Sequence, residues 1–220
     1  QYVVGLDKRT GKTIWKRDRD IDYGTDNGDS KKAFATASVI KVGNQAQVVC
    51  PSAAATIAYD PETGQEIWRV QHGGMNAASR PIAGHGLVYI NAPYGGMNLI
   101  AVRPDGKGDV TKSHIAWSCG KRVPKHASQL LVDDLIYMAN EPVWAERIDG
   151  HHSASPIYAG GRIYFFSEEG HCPVIAPGRT FQPLASSKLS EGFQASPAVV
   201  GNAFIFRTLH HLYRVEETAK

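Results

Sequence analysis

The chain has 220 residues, 42% of them hydrophobic and 20% charged, with a formal net charge of +3, ordinary values for a globular protein. That charge is small and evenly spread, which excludes a phosphate-tracking surface and with it nucleic acid as a partner. No apolar run approaches the ~18 residues of a membrane-spanning helix, and one domain over residues 1–220 is the expected organisation.

The chain opens without Met or a signal segment, so a mature or trimmed product is expected. Its first phrase, "VVGLDKRTGKTIWKR", places Asp7, Gly11 and Trp15 at steps of four. The phrase returns as "TIAYDPETGQEIWRV", with Asp60, Gly64 and Trp68. Pro61 pre-sets φ for a turn there, and Gly64 supplies the left-handed position that closes it. Trp68 then enters a strand and packs its large apolar surface across a sheet or against the next one.

Hairpins recur along the chain. "TASVIKVGNQAQVVC" (36–50), "SRPIAGHGLVYINA" (79–92), "SQLLVDDLIYMAN" (128–140), "SPIYAGGRIYFFS" (155–167) and "SPAVVGNAFIFRT" (196–208) share one plan. Each has a small or polar start, a short apolar run, a turn of Gly, Asp or Asn, and a second apolar run, the pattern of a tight hairpin. Their starts near 37, 81, 129, 156 and 197 are spaced mainly by 41–48 residues. A third strand ending at Asp and a fourth entered through Trp complete the first two repeats. Four short antiparallel strands at this period predict an all-β fold, a β-propeller of four-stranded blades. About five blades are expected, in an irregular or incomplete set.

Three departures stand out. "RPDGKGDVTKSHIAW" lengthens the turn before Trp117, while Trp144 follows 27 residues later without an Asp–x3–Gly turn. The fifth repeat, "CPVIAPGRTFQPLA", keeps its strands and loses Trp. The chain starts on a third and fourth strand and stops after a third. A five-bladed irregular ring and a piece of a longer propeller both satisfy that pattern.

The most polar segment, "DRDIDYGTDNGDSKKAF" (18–34), holds Asp22, Asp26, Asn27 and Asp29 beside Lys31 and Lys32. It reads either as an oxygen cluster suited to Ca²⁺, though without an EF-hand's twelfth-position Glu, or as a solvated inter-blade loop offering a binding surface. Arg80, at the entrance of the next hairpin, could join the lysines around an anionic group. "RPDGKGDVT" (103–111) reads as a second such loop, and the doubled "GGMN" (73–76 and 95–98) as a pair of equivalent turns. His72, His126 and His151 are the candidate Zn or Cu ligands, if three blade entrances converge; the plainer reading makes them structural or surface imidazoles. Cys50, Cys119 and Cys172 exclude a CxxC motif, leaving one long-range disulfide or three separate thiols.

The Asp–x3–Gly–x3–Trp turns resemble the tryptophan-docking repeat of PQQ-like, quinoprotein-type β-propellers, most closely those of secreted bacterial PQQ-like repeat proteins. The same superfamily includes the outer-membrane assembly scaffold lipoprotein and the quinoprotein alcohol dehydrogenases. The resemblance implies a docking role for Trp15, Trp68, Trp117 and Trp144, and a secreted or periplasmic location. Dehydrogenase relatives hold PQQ between a stacking Trp and adjacent cysteines; this sequence has no Cys–Cys pair, so no PQQ is expected. The function expected is a non-catalytic binding or scaffold propeller of the bacterial cell envelope, a monomer presenting loops and a funnel to a protein, peptide or glycan. The rival readings are a degenerate quinoprotein dehydrogenase or metal-assisted enzyme using axial His and Asp residues, and a fragment with no activity of its own.

Overall fold

The structure is a computed structural model that describes residues 1–120, 123–138, 148 and 150–216. The chain folds as two compact units, residues 1–121 and 122–220. Among the described residues the only helical element is a single 3-10 turn, Gly28–Lys31.

Unit 1 opens with β1 (Tyr2–Leu6) and β2 (Thr13–Asp18), a two-stranded antiparallel sheet. A full antiparallel sheet follows, made of β3 (Ser38–Val42), β4 (Gln45–Pro51), β5 (Ala55–Tyr59) and β6 (Glu66–Gln71). The next contains β7 (Ile82–Gly84), β8 (Leu87–Ala92) and β9 (Asn98–Val102). After a short β10 (Gly108–Asp109) it is completed by β11 (Ile115–Cys119), in the order β11-β9-β8-β7.

Unit 2 begins with the hairpin of β12 (Leu130–Val132) and β13 (Leu135–Tyr137). A four-stranded sheet comes next, from β14 (Ile157–Ala159), β15 (Arg162–Tyr164), β16 (His171–Ile175) and β17 (Pro183–Lys188). The last sheet has three strands: β18 (Ala198–Val200), β19 (Ala203–Arg207) and β20 (Leu212–Glu216).

All five sequence hairpins form, each around two residues. The turn between β7 and β8 has φ +54° at His85 and +74° at Gly86, the two positive angles that match strand twist. In these meanders the first-to-second and third-to-fourth strand turns share one end of the sheet. The second-to-third connections and the links to the next sheet share the other, which we call the loop end.

The lengthened segment 103–114 is not a free loop, contrary to its reading as a second binding loop. Gly108 and Asp109 run parallel to Trp68 and Arg69 as β10, adding a fifth strand to the preceding sheet. Val110 donates its N–H to the Arg69 carbonyl at 2.9 Å and is buried beside Trp68. Asp109 and Thr111 bind Gln71, so the insertion covers the edge of β6, an arrangement that protects against strand addition. The two "GGMN" segments are likewise not equivalent turns. The first follows β6 and the second joins β8 to β9. They pack together, with the Met97 N–H donating to the His72 carbonyl at 2.9 Å.

Candidate functional site

The turn that marks the repeat is built twice to the same plan. Asp7 Oδ1 accepts from the Arg9 and Thr10 N–H groups and the Thr10 hydroxyl, at 2.7–3.0 Å. Asp60 Oδ1 accepts from the Glu62 and Thr63 N–H groups and the Thr63 hydroxyl, at 2.9–3.0 Å. These donors hold both carboxyls below the usual range, led by the Thr10 hydroxyl for Asp7 and the Thr63 N–H for Asp60. Gly11 and Gly64 then donate back to Asp7 and Asp60 at 2.8 and 2.9 Å.

In β2, β6 and β11 the Trp is the third residue, just past a bulge, opposite a small residue. Trp15 faces Gly5, Trp68 faces Ala58 and Trp117 faces Ala101. Trp15 leaves its own sheet and lies on the turn of the next, its Nε1 donating to the Pro61 carbonyl at 2.9 Å. A Cβ added at Gly64, where φ is +68°, would stand 2.5 Å from that indole. Arg17 clamps the same turn through the Gly64 and Thr63 carbonyls. Trp68 is fully buried and uses a relay: its Nε1 donates to Gln47 Oε1 at 2.8 Å, and Gln47 Nε2 donates to the Pro104 carbonyl at 3.2 Å. Trp117 is 39% exposed and tilts against Tyr89 at 5.8 Å; Trp144 lies outside the described residues. In β17 the equivalent position, fixed by the same bulge, is Ala185 opposite Val174.

The polar segment after β2 lies strapped across the loop end of unit 1. Arg19 donates to the Pro51 carbonyl at 2.8 Å, and Tyr23 Oη donates to Gln1 Oε1 at 2.7 Å. Asn76 and Phe34 tie its far end to the following link through backbone hydrogen bonds of 2.8 and 2.7 Å. Its carboxylates do not gather. Asp22 accepts from the Gly24 N–H, Asn27 caps the Asp29 N–H, and Asp29 pairs with Lys32. Asp26 stands 4.0 Å from Lys31. Arg80 donates instead to Ser38 Oγ at 2.9 Å. Phe34, at the end of this segment, is 67% exposed.

His72, His126 and His151 do not meet either, and no group of three or more His, Cys, Asp or Glu able to hold a metal exists among the described residues. His72 is buried with both nitrogens occupied, Nδ1 on the Gly73 carbonyl at 2.7 Å and Nε2 with the Thr56 hydroxyl at 2.9 Å. Burial pushes it down to about 4, so it is neutral and accepts from Thr56. His126 is exposed. His151 is exposed and bonded through Nδ1 to Glu169 Oε1 at 2.7 Å.

That last pair belongs to an arrangement that the sequence alone does not reveal. At the loop end of unit 2, Glu169 from the β15–β16 connection holds His151 from the link before β14. In the following sheet the roles reverse: Glu191 from the link before β18 holds His211 from the β19–β20 connection at 2.7 Å. Glu191 also accepts from the Thr208 hydroxyl at 2.5 Å and the His210 N–H at 3.0 Å. These donors, Thr208 first for Glu191 and His151 first for Glu169, pull both carboxyls down to about 2. Serines at the hairpin entrances form a second seam, Ser128 N–H to Ser155 Oγ at 2.9 Å and Ser155 N–H to Ser196 Oγ at 2.8 Å. Those serines are visible in the sequence as the polar start of each hairpin; the Glu–His pairing has no local signal.

The three cysteines lie in β4, β11 and β16 and form no disulfide. Trp15 and Trp68 are taken up between sheets.

The chain is a PQQ-like repeat protein with the β-propeller fold. The chain belongs to the family described as outer membrane protein assembly factor BamB, whose pattern matches residues 1–141. Among solved structures it is similar to BamB from Moraxella catarrhalis, with a TM-score of 0.64 and 14% identity over 94% of this chain. It is also similar to Sqt1 from Saccharomyces cerevisiae, with a TM-score of 0.60 and 11% identity over 98% of this chain. At such identities the likeness carries the fold alone. The chain spans 64% and 66% of the lengths of those two proteins. No curated protein matches the sequence.

Proposed function

We propose that this protein is a non-catalytic binding or scaffold propeller of the bacterial cell envelope, secreted or periplasmic, which docks a protein, peptide or glycan. The observation that carries the reading is membership, over residues 1–141, of a family described as an outer membrane protein assembly factor. The geometry supports it. Loops strapped by Arg19, Tyr23 and the two Glu–His pairs are ordered before any partner arrives, which lowers the entropy lost on binding. Phe34 offers a large exposed apolar side chain at the end of the segment that carries Asp22, Asp26, Asn27, Asp29 and Lys31, and Arg80 stands in a separate link. An exposed aromatic of this kind is a fitting interface anchor. In this reading the tryptophans are docking residues, the chain is a monomer, and no cofactor is needed.

The test places a photo-reactive residue at position 34 or 26 and irradiates the protein in bacterial envelope extract. A discrete adduct, competed away by unlabelled protein and lost in a Phe34→Ala background labelled at 26, is the expected result. Absence of any competable adduct contradicts the reading, as would dye reduction that depends on added PQQ and Ca²⁺.

A further inference from the structure

Unit 2 contains a groove of about 730 Å³ between two of its successive sheets, within the ~300–1,000 Å³ typical of ligand sites. Tyr158, Arg162 and Tyr164 of the β14–β15 hairpin line one side; Val199, Asn202 and Phe204 of the β18–β19 hairpin line the other. The Tyr164 and Phe204 rings meet edge to face across it at 4.8 Å. Tyr158 and Val199 are each 46% exposed, apolar surface that single-chain packing leaves in water.

The polar rim is unspent. Among the described residues neither the Arg162 guanidinium nor the Asn202 amide makes a hydrogen bond or ion pair, whereas Arg17, Arg19, Arg69 and Arg103 all donate within unit 1. Among the described lining residues the one acid, Glu216, already accepts from Arg214 at 2.5 Å. The charge left over at the rim is therefore positive and suited to a carboxylate.

In unit 1 one junction between successive sheets holds an aromatic side chain. Trp15 lies between the β1–β2 sheet and the next, with its Nε1 donating to a backbone carbonyl. The sheet on the β14 side of the groove has Ala185, outside the groove's lining, at the corresponding position of its fourth strand, so no indole of that strand is available to the junction.

We propose that the groove takes an aromatic side chain of an extended partner peptide, with an acidic residue beside it received by Arg162. The proposal rests on the scaffold reading and names the partner's chemistry. The ring would stack on Tyr158 and the Tyr164–Phe204 pair, and Asn202 would serve the peptide backbone.

The probe is a fluorescein-labelled, capped peptide of sequence Gly-Ser-Trp-Asp-Gly, titrated against the intact chain by anisotropy. Saturable binding is expected, weakened about ten-fold by Tyr158→Ala or by replacing the probe's Trp with Ala, the scale of one aromatic contact. Arg162→Gln should weaken the Asp probe about five-fold, as for one exposed ion pair, and leave a Trp-Asn probe unchanged. Tyr158 and Arg162 are exposed, so both variants should melt like the parent; Asn202→Ala gives a second, side-chain-only check. No saturable binding, equal binding of the Ala probe, or preferential binding of a neutral hexasaccharide overturns the proposal. A position-34 adduct that persists while the probe fails removes the groove and leaves the scaffold; probe binding without any envelope adduct removes the scaffold reading.

Discussion

Unit 1 joins its sheets with indole rings and close-packed aliphatic side chains, whereas the last two sheets of unit 2 are joined by phenylalanine and tyrosine. In unit 1 Trp68, Ile40, Val49, Val70, Val88, Ile90 and Ile100 form one continuous buried cluster. In unit 2 the rings of Phe166, Phe193, Phe204 and Phe206 meet at 5.3–6.5 Å, and the fourth strand β17 is exposed along its length. Aliphatic packing around a hydrogen-bonded indole leaves little room for change. Ring pairs tolerate several edge and offset geometries and leave a groove. One half of the chain thus reads as frame and the other as adaptable surface.

The largest test of that contrast is Trp68→Ala, which empties a fully buried site and should cost about 3–5 kcal/mol. Hydrogen exchange should show β5 and β8 losing protection while β15 and β19 keep theirs. Equal loss in both sets would mean that the units do not differ in the way described.

Next comes pH. Burial holds His72 at about 4, against ~6.5 for a free imidazole. As pH falls the unfolded state takes the proton first. The stability from neutral His72 is thus complete above pH ~6.5 and is lost between there and about 4, roughly 3 kcal/mol in all. Urea unfolding at pH 7 and 4.5 should show this loss in the parent and a much smaller one in His72→Gln.

Gln47→Leu is a finer cut. It leaves the buried Trp68 Nε1 without its acceptor, a cost of about 1–3 kcal/mol, read by the same urea titrations. An unchanged midpoint would show that the relay through Gln47 does not hold the two sheets.

The local features of the fold were legible because they are written within a few residues. Asp60, Thr63 and Gly64 encode their turn almost alone, and the two-residue hairpins follow from His85–Gly86 and its counterparts. What could not be read was which partner each turn meets. Trp15 seats on Gly64 and Gln47 reaches Pro104, pairings 49 and 57 residues apart that depend on sheet twist and spacing. Segment 103–114 looked like a polar loop because Gly108 and Asp109 have little strand propensity; pairing with β6 overrides it. The acidic segment read equally as an oxygen cluster or a solvated loop, because spacing cannot show that Asp22 turns to the Gly24 N–H and Asp29 to Lys32.

The smallest expected effect is at the loop end of unit 2. Glu191 sits near 2, so its hold on Thr208, His210 and His211 should be complete above the ordinary Glu range and fade as pH falls toward 2. Glu191→Gln should speed amide exchange at His210 and leave β5 and β8 untouched.

The most direct measurement is strand-resolved hydrogen exchange on the unmodified chain, with and without the aromatic–acidic peptide. We expect β4, β5, β8 and β9 to exchange slowest, β14 and β18 faster, and the peptide to slow only the second set. Uniform protection throughout, or slowing confined to the first set, would contradict a clamped frame carrying a separate, yielding surface for recognition.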